Sequence, residues 1–220
     1  MIMGDAWLLG RYHATVSPFC IDEHEVTVAE YAECVRRLQC AAPAPYAHPD
    51  RKWTSCNWNV PNRDDHPINC VNWEQAHTYC RALGKDLPTE AQWELAARGG
   101  PSRSRWEYPW GDRFPTDADA CWNLSNMRRG TCPVGSFPSN AYGLRDMAGN
   151  VSEWVFDWYE EYPSEAVDYR GPARGQSRIC RGGSWMIADP GFMKTSTRDD
   201  RPADYAGDNV GFRCATAPAS

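Results

Sequence analysis

Nowhere in this sequence do apolar residues run for the roughly 18 positions that a membrane-crossing helix needs, so no such span is expected. Basic charge is also in short supply. Against 29 Asp and Glu there are 23 Lys and Arg, giving a net charge of −6 with both signs mixed along the chain, and this argues against nucleic acid as a partner. The ten cysteines include no C-x2-C pair, which disfavours a zinc ribbon, and the five histidines (His13, His24, His48, His66, His77) include no H-x3-H pair. A Ser-His-Asp signature and a Gly-rich phosphate loop are both missing. So are internal repeats and low-complexity tracts, and the 220 residues read as one domain over 1–220.

What the chain does have is 11 Trp, 17 Gly, 17 Pro and 10 Cys. So much Gly and Pro breaks long helices, and core building then rests on loops anchored by large aromatic rings. An even number of cysteines scattered through loop-like sequence reads as disulfides, and hence as an oxidising, extracytoplasmic compartment (periplasmic, secreted or lipoprotein-anchored). Ten buried thiols in a reduced protein are the competing reading. The opening Met1-Ile2-Met3-Gly4-Asp5 carries no secretory leader, so export implies that a leader was removed or that the domain comes from a longer chain.

Three short helices can be placed. Thr27 with Glu30 three residues on forms a capping box, after which Val28, Tyr31, Ala32, Val35 and Leu38 recur at helical spacing. Asn72 with Gln75 opens a second helix through Ala76, Tyr79, Cys80 and Leu83 that stops at Gly84, and Thr89 with Gln92 opens a third that carries Trp93 and Ala96 inward and ends at Gly99-Gly100. The remainder is loop-rich, with short strands expected at Val151–Trp154, Ile179–Arg181 and Gly211–Ala215, and Ala41–Pro49 as a loop. The fold class is therefore mixed α+β with little regular structure.

Six segments carry a family resemblance, in order along the chain. They are Ile21-Asp22-Glu23-His24-Glu25-Val26-Thr27, His66-Pro67-Ile68-Asn69-Cys70-Val71, Gly84-Lys85-Asp86-Leu87-Pro88-Thr89-Glu90-Ala91-Gln92-Trp93-Glu94, Tyr108-Pro109-Trp110-Gly111-Asp112, Gly143-Leu144-Arg145-Asp146-Met147-Ala148-Gly149-Asn150-Val151-Ser152-Glu153-Trp154, and Arg181-Gly182-Gly183-Ser184-Trp185 followed by Asn209-Val210-Gly211-Phe212-Arg213-Cys214. Together they resemble the formylglycine-generating enzyme (sulfatase-modifying factor) family, which implies a variant of the C-type-lectin-like fold. Working members carry two cysteines shortly after the Gly-Gly-Ser-aromatic run that bind Cu(I). Here no cysteine lies between Cys180 and Cys214, and Ile187, Phe192 and Met193 cannot serve as thiolate ligands, so no copper is expected. An aromatic common in the family pocket is replaced by Ser152.

The resemblance implies further sites. Asp146 and Glu153 side chains with the Gly149 and Val151 carbonyls match a family calcium site and suit a hard cation, whereas a turn held by acid-to-amide bonds is the plainer alternative. A second calcium site beginning at Asn123 and Leu124 is not expected, because the following loop is short and basic. One family disulfide matches Cys80 and Cys214, and proximity suggests Cys34–Cys40, Cys56–Cys70, Cys121–Cys132 and Cys20–Cys180 for the rest. Ser184, Trp185, Arg198 and Tyr205, with the 189–208 loop, form the candidate ligand-binding surface, with Trp185 and Tyr205 exposed as anchors; a solvated loop laced by ion pairs is the alternative. The expected function is a non-copper, non-catalytic binding or accessory module whose partner is a protein or small molecule. The rivals are an oxidoreductase of the formylglycine-generating or sulfoxide-synthase type with an atypical site, and a lectin-like variable display protein.

Overall fold

Side-chain caps decide where the helices begin. In the computed structural model, which describes residues 3–9, 12–44, 55–100, 106–122 and 130–218, all three expected capping boxes are closed. Thr27, Asn72 and Thr89 each accept from the backbone N–H three residues on, and Glu30, Gln75 and Gln92 accept in return. Each cap stabilises its helix by about 1 kcal/mol. The helices they start are α1 (Val28–Arg36), α2 (Trp73–Ala82) and α3 (Glu90–Arg98). α3 stops where Gly99 takes the left-handed conformation at φ 74°. Leu38 departs from expectation: it lies beyond α1 at φ 59° and is 92% exposed. The Cys34–Cys40 bridge closes a loop of six positions, so the chain must turn back just after the helix and cannot bury that residue.

Two small sheets flank the helices. β1 (Met3–Leu9) runs antiparallel to β2 (Tyr12–Ile21). β3 (Ser152–Trp158) is the centre of the other sheet, as expected from Val151–Trp154. β4 (Glu165–Val167) joins β2 in parallel, β5 (Arg178–Arg181) pairs antiparallel with β3, and β6 (Asp199–Arg201) closes that sheet's edge. The expected strand Gly211–Ala215 is instead divided. β7 (Val210–Gly211) lies parallel to β3, while β8 (Ala215–Thr216) pairs with the end of β2. The chain crosses from one sheet to the other at Phe212, Arg213 and Cys214, all of them fully buried.

The core divides among the elements. α3 buries Trp93, Leu95, Ala96 and Ala97 with Phe19, Val155 and Ile179. α1 and α2 pack Tyr31, Trp73 and Tyr79 against Trp154 and Phe212. A third cluster gathers Tyr108, Ala120, Trp122, Ala148 and Met193 beneath the loops. Buried indoles find acceptors as they must: Trp73 Nε1 donates to the Val155 carbonyl at 2.8 Å and Trp154 Nε1 to that of Val71 at 3.0 Å.

Four of the five expected disulfides form: Cys34–Cys40, Cys56–Cys70, Cys80–Cys214 and Cys121–Cys132. The fifth does not. Cys20 and Cys180 are both free, because they sit in different sheets, Cys20 opposite Thr216 on β2 and Cys180 between Trp154 and Asp199 on β5. The Ala41–Pro49 loop lies partly outside the described residues. Among those residues, no helix is long and apolar enough to cross a membrane. Cys80–Cys214 spans 134 positions. Replacing both with Ala should therefore cost on the order of 4–5 kcal/mol in urea unfolding, more than any other bridge, since chain-entropy loss grows with loop length. A cost no larger than that of removing the Cys34–Cys40 bridge would contradict this.

Candidate functional site

The Asp146–Glu153 segment is wound tightly around one asparagine. Asp146, Gly149 and Asn150 all have positive φ, and a Cβ on Gly149 would lie 2.6 Å from the Cys121 carbonyl, so only glycine fits there. Asn150 takes its backbone N–H to Cys121 O, receives Cys132 N–H and Trp185 N–H, and donates its amide to Glu25 Oε2 at 2.6 Å. Glu25, fully buried, also accepts from Val151 N–H at 3.0 Å. Sequence reading passed Glu25 over as a family marker; its position before the Thr27 cap gave no hint that it points inward.

Beside this segment Glu153 is clamped. Arg213 donates to both of its oxygens at 2.8 Å, and Trp93 Nε1 donates to Oε2 at 2.8 Å. Asp146 Oδ2 accepts from Gly135 N–H at 2.6 Å, and its other oxygen makes no hydrogen bond among the described residues. Burial pushes the Glu25 carboxyl well above its ordinary value, and the charges of Asp146 and Glu153 add to the rise while Arg213 opposes it. Asp146 is likewise raised, chiefly by burial. Three carboxyls thus face one guanidinium. Among the described residues no three His, Cys, Asp or Glu side chains form a metal cage. A hard cation here would use Asp146 and the Gly149 and Val151 carbonyls, with Glu153 shared between it and Arg213. Charge favours such an ion; the commitment of Glu153 limits its coordination. Asn123 and Leu124, the second candidate position, lie outside the described residues.

The expected ligand surface is not one surface. Gly182 and Gly183 turn at φ 90° and 70°, and a Cβ on Gly183 would meet the Phe192 carbonyl at 2.8 Å, so the pair lets the Pro190–Met193 3₁₀ turn close over it. Ser184 is buried beneath, its hydroxyl without a hydrogen-bond partner among the described residues. Trp185, expected as an exposed anchor, is only 2% exposed and donates Nε1 to the Asp208 carbonyl at 3.0 Å: the tight turn after two glycines drives the ring inward. Arg198 is spent on Glu90, which it grips at 2.7 and 2.8 Å, and lies over the rings of Tyr162 and Tyr159. Tyr205 is half-buried, donates its hydroxyl to Asn209 Oδ1 at 2.8 Å and packs against the α1–α2 cluster.

The third cluster lies against the Pro190–Met193 turn through Met193. Ile187 and Trp110 pack on the third cluster, Tyr108 and Trp110 stack with centroids 5.3 Å apart, and Phe192 is 56% exposed. Lys194 and Glu107 pair at 3.0 Å, with Glu107 half exposed. The aromatic pair around Pro109 was the available signal, visible in the sequence as two rings two residues apart.

Behind Arg198 lies a buried charge network. Arg181, wholly buried, bridges to Glu94 and to the Thr195 carbonyl, and Arg98 binds Glu94 at 2.7 Å. Asp157 accepts from Glu90 N–H at 2.7 Å, and burial, then the Glu90 charge, push its carboxyl up to about 8.

Comparison with known proteins follows the same lines. Residues 9–218 match the Sulfatase-modifying factor enzyme 1-like domain. The chain is 32% identical to the formylglycine-generating enzyme of Thermomonospora curvata, over 92% of this chain and 83% of that protein. It is also 32% identical, over 92% of this chain and 76% of the other, to the inactive C-alpha-formylglycine-generating enzyme 2 of Mus musculus. The structure of PvdO from Pseudomonas aeruginosa superposes with a TM-score of 0.77 over 99% of this chain and 92% of that one, at 24% identity. The chain belongs to the formylglycine-generating enzyme (sulfatase-modifying factor) family and has its C-type-lectin-like fold.

A folded carboxyl near 8 binds a proton that the unfolded chain, with Asp near its ordinary 3.9, has released. Asp157 therefore makes stability fall as pH rises from about 4 to about 8. Asp157→Asn keeps an oxygen for the Glu90 amide and should raise the urea midpoint at pH 8, with the gain shrinking toward pH 5. A gain of equal size at both pH values would show that Asp157 does not titrate in this window.

Proposed function

We propose that this member of the family recognises a ligand at its Gly-Gly-Ser end and does not make formylglycine with copper. One observation carries the reading: where the family resemblance calls for two Cu(I) thiolates, this chain has Ile187, Phe192 and Met193, with no cysteine from Arg181 to Arg213. Cu(I) oxygen chemistry needs convergent soft thiolates. The two free thiols do not supply them, since Cys20 and Cys180 are on separate sheets and burial pushes the Cys180 thiol well above its ordinary value. That a relative as similar as the enzymes bears the name of an inactive protein supports loss of chemistry on a retained scaffold.

In place of the metal is an aromatic patch, with exposed Phe192 and half-buried Trp110 as anchors and Glu107 and Lys194 as a polar rim, over Ser184 and Trp185 as buried supports. Such a mixture suits an anchor-and-rim interface. Arg198 positions the 198–201 segment through Glu90 and does not touch the ligand. Four disulfides support an extracytoplasmic, oxidising setting.

Incubation with Cu(I), oxygen and a sulfatase-motif peptide should give no aldehyde above a copper blank; turnover would overturn the first half. Glycan and peptide arrays should return binders that Phe192→Ala weakens about tenfold, the effect of a buried aromatic anchor. Unchanged binding by Phe192→Ala and Trp110→Ala would move recognition elsewhere.

We propose also that calcium binds at Asp146, Gly149, Val151 and Glu153, the surplus of buried carboxyls over Arg213 supporting it. Calcium should then raise the melting temperature, because it binds only the folded chain, and Asp146→Asn should abolish the rise while sparing the Glu153–Arg213 pair. Identical melting in EDTA and in excess calcium would exclude a site of useful affinity.

A further inference from the structure

Arginines inside this chain are matched to acids, and they meet them along one edge. Arg98, Arg198 and Arg213 each lay Nε and Nη2 against a single carboxyl group, that of Glu94, Glu90 and Glu153 respectively, at 2.7–2.9 Å. Two parallel donors suit the planar carboxylate, which makes such pairs strong and directional. Arg181 leaves Nε empty, but its Nη2 meets Glu94. Arg178, at the head of β5, is the exception. It is only 8% exposed and forms no ion pair with an Asp or Glu among the described residues.

What Arg178 has instead is a pair of rings. Its guanidinium carbon lies 3.6 Å from the centres of both Trp73 and Trp158. The β3–β5 register sets Trp158 directly opposite it, and Trp73 is fixed from α2 by its Nε1 bond to the Val155 carbonyl. Nη1 donates to the Phe156 carbonyl. Nε is buried without a hydrogen-bond partner, and Nη2 makes no hydrogen bond among the described residues either. The edge that grips a carboxylate elsewhere in the chain is thus empty here. The indoles attract the faces of the cation, but they offer no acceptor to N–H groups in its plane, and a buried donor is seldom left without one. Burial pulls this guanidinium down to about 10, and the acids that act against the fall do so from a distance. They are Asp157, itself pushed up to about 8 and so mostly protonated at neutral pH, and Glu74 on the first turn of α2. Two further cations stand near: Arg201 opposite Arg178 on β6, and Arg170, 3.8 Å over the Phe156 ring. Each of these has its own acid, Asp199 and Asp86.

We propose that the Nε–Nη2 edge of Arg178 is the seat of a carboxylate from outside the chain, held side-on by those two donors. A carboxylate suits it better than a tetrahedral oxyanion, because it shares the plane of the guanidinium that the two indoles bound above and below. The chain at 173–176 is exposed and runs against Trp158, where a Cβ on Gly175 would lie 2.7 Å from the Trp158 Cβ. On that side a single exposed stretch of backbone lies between the stack and solvent. The seat shares no residue with the aromatic patch or the calcium-type segment, and it stands or falls apart from both readings.

Arginine Nε–Hε NMR signals of the intact protein read this edge directly. The titrants, at neutral pH and constant ionic strength, are sodium benzoate, N-acetylaspartate N-methylamide, benzamide and sodium sulfate. Both carboxylates are expected to shift the Arg178 Hε signal saturably. The tighter of the two names the source, a small organic acid for benzoate and a partner's acidic side chain for the aspartate. Arg178→Lys keeps the charge but has no two-donor edge, and should weaken binding about tenfold or more, as for the loss of a charge-assisted hydrogen bond. Since that change is buried, the comparison of benzoate with benzamide on the unaltered protein decides the matter if the variant fails to fold. No saturable shift at Arg178, benzamide as effective as benzoate, sulfate tighter than either carboxylate, or a folded Arg178→Lys protein with undiminished affinity would each overturn the proposal.

Discussion

The fold depends on one buried guanidinium. Arg213, wholly inaccessible, donates to Glu153 twice and to the carbonyls of Asp22, Glu23 and Arg145. That makes five hydrogen bonds, matching the donor capacity of the group. Through them the C-terminal crossing, the start of β3, the β2–α1 connection and the 145 loop are fixed to a single planar fork. The next residue, Cys214, is bonded to Cys80 on α2, so the same short segment also binds the helical layer. Removing either Arg213 or Glu153 would strand a buried charge at a cost of about 3–5 kcal/mol, and the loss would fall on four segments together.

The Arg213 pair also governs what the neighbouring acids can do. Glu25 and Asp146 lie in the field of Glu153, and their raised carboxyls reflect burial first and mutual repulsion second. Arg213 compensates one of the three charges. Two donors, the Asn150 amide and the Val151 N–H, meet the Glu25 oxygens. The calcium-type segment is thus part of the load path of the fold as well as a candidate site.

Much of the local structure was legible in the sequence. A capping box is written in residues three apart, and all three were closed as read; short-range cysteine pairs were equally plain. The strands were less so. β7 and β8 are two residues each and exist because β3 and β2 offer edges, a fact located elsewhere in the chain. The Cys20–Cys180 expectation failed for the same reason: nothing near either residue says which sheet it joins. At the candidate surface the sequence names residue types but not their orientation. In the sequence Trp185 stands as an exposed anchor and Arg198 as part of the same surface, yet the Gly182-Gly183 turn buries one and Glu90 captures the other.

A chain with so little regular structure must satisfy its loop carbonyls by other means, since a buried unpaired carbonyl is costly. Arginine does this throughout. Arg181 reaches the Thr195 and Thr197 carbonyls, Arg98 that of Trp106, Arg145 those of Gly135 and Phe137, and Arg178 that of Phe156. Arg178 is further held between the Trp73 and Trp158 rings, each 3.6 Å away. The loops are therefore anchored from inside, by long side chains rooted in helices, strands and one another, and not by strand ladders along their own length. Exposed Phe192 and half-buried Ile187 carry none of that anchoring, and neither does Ser184, whose hydroxyl has no hydrogen-bond partner among the described residues. Side chains at such positions can change without disturbing the arginine framework.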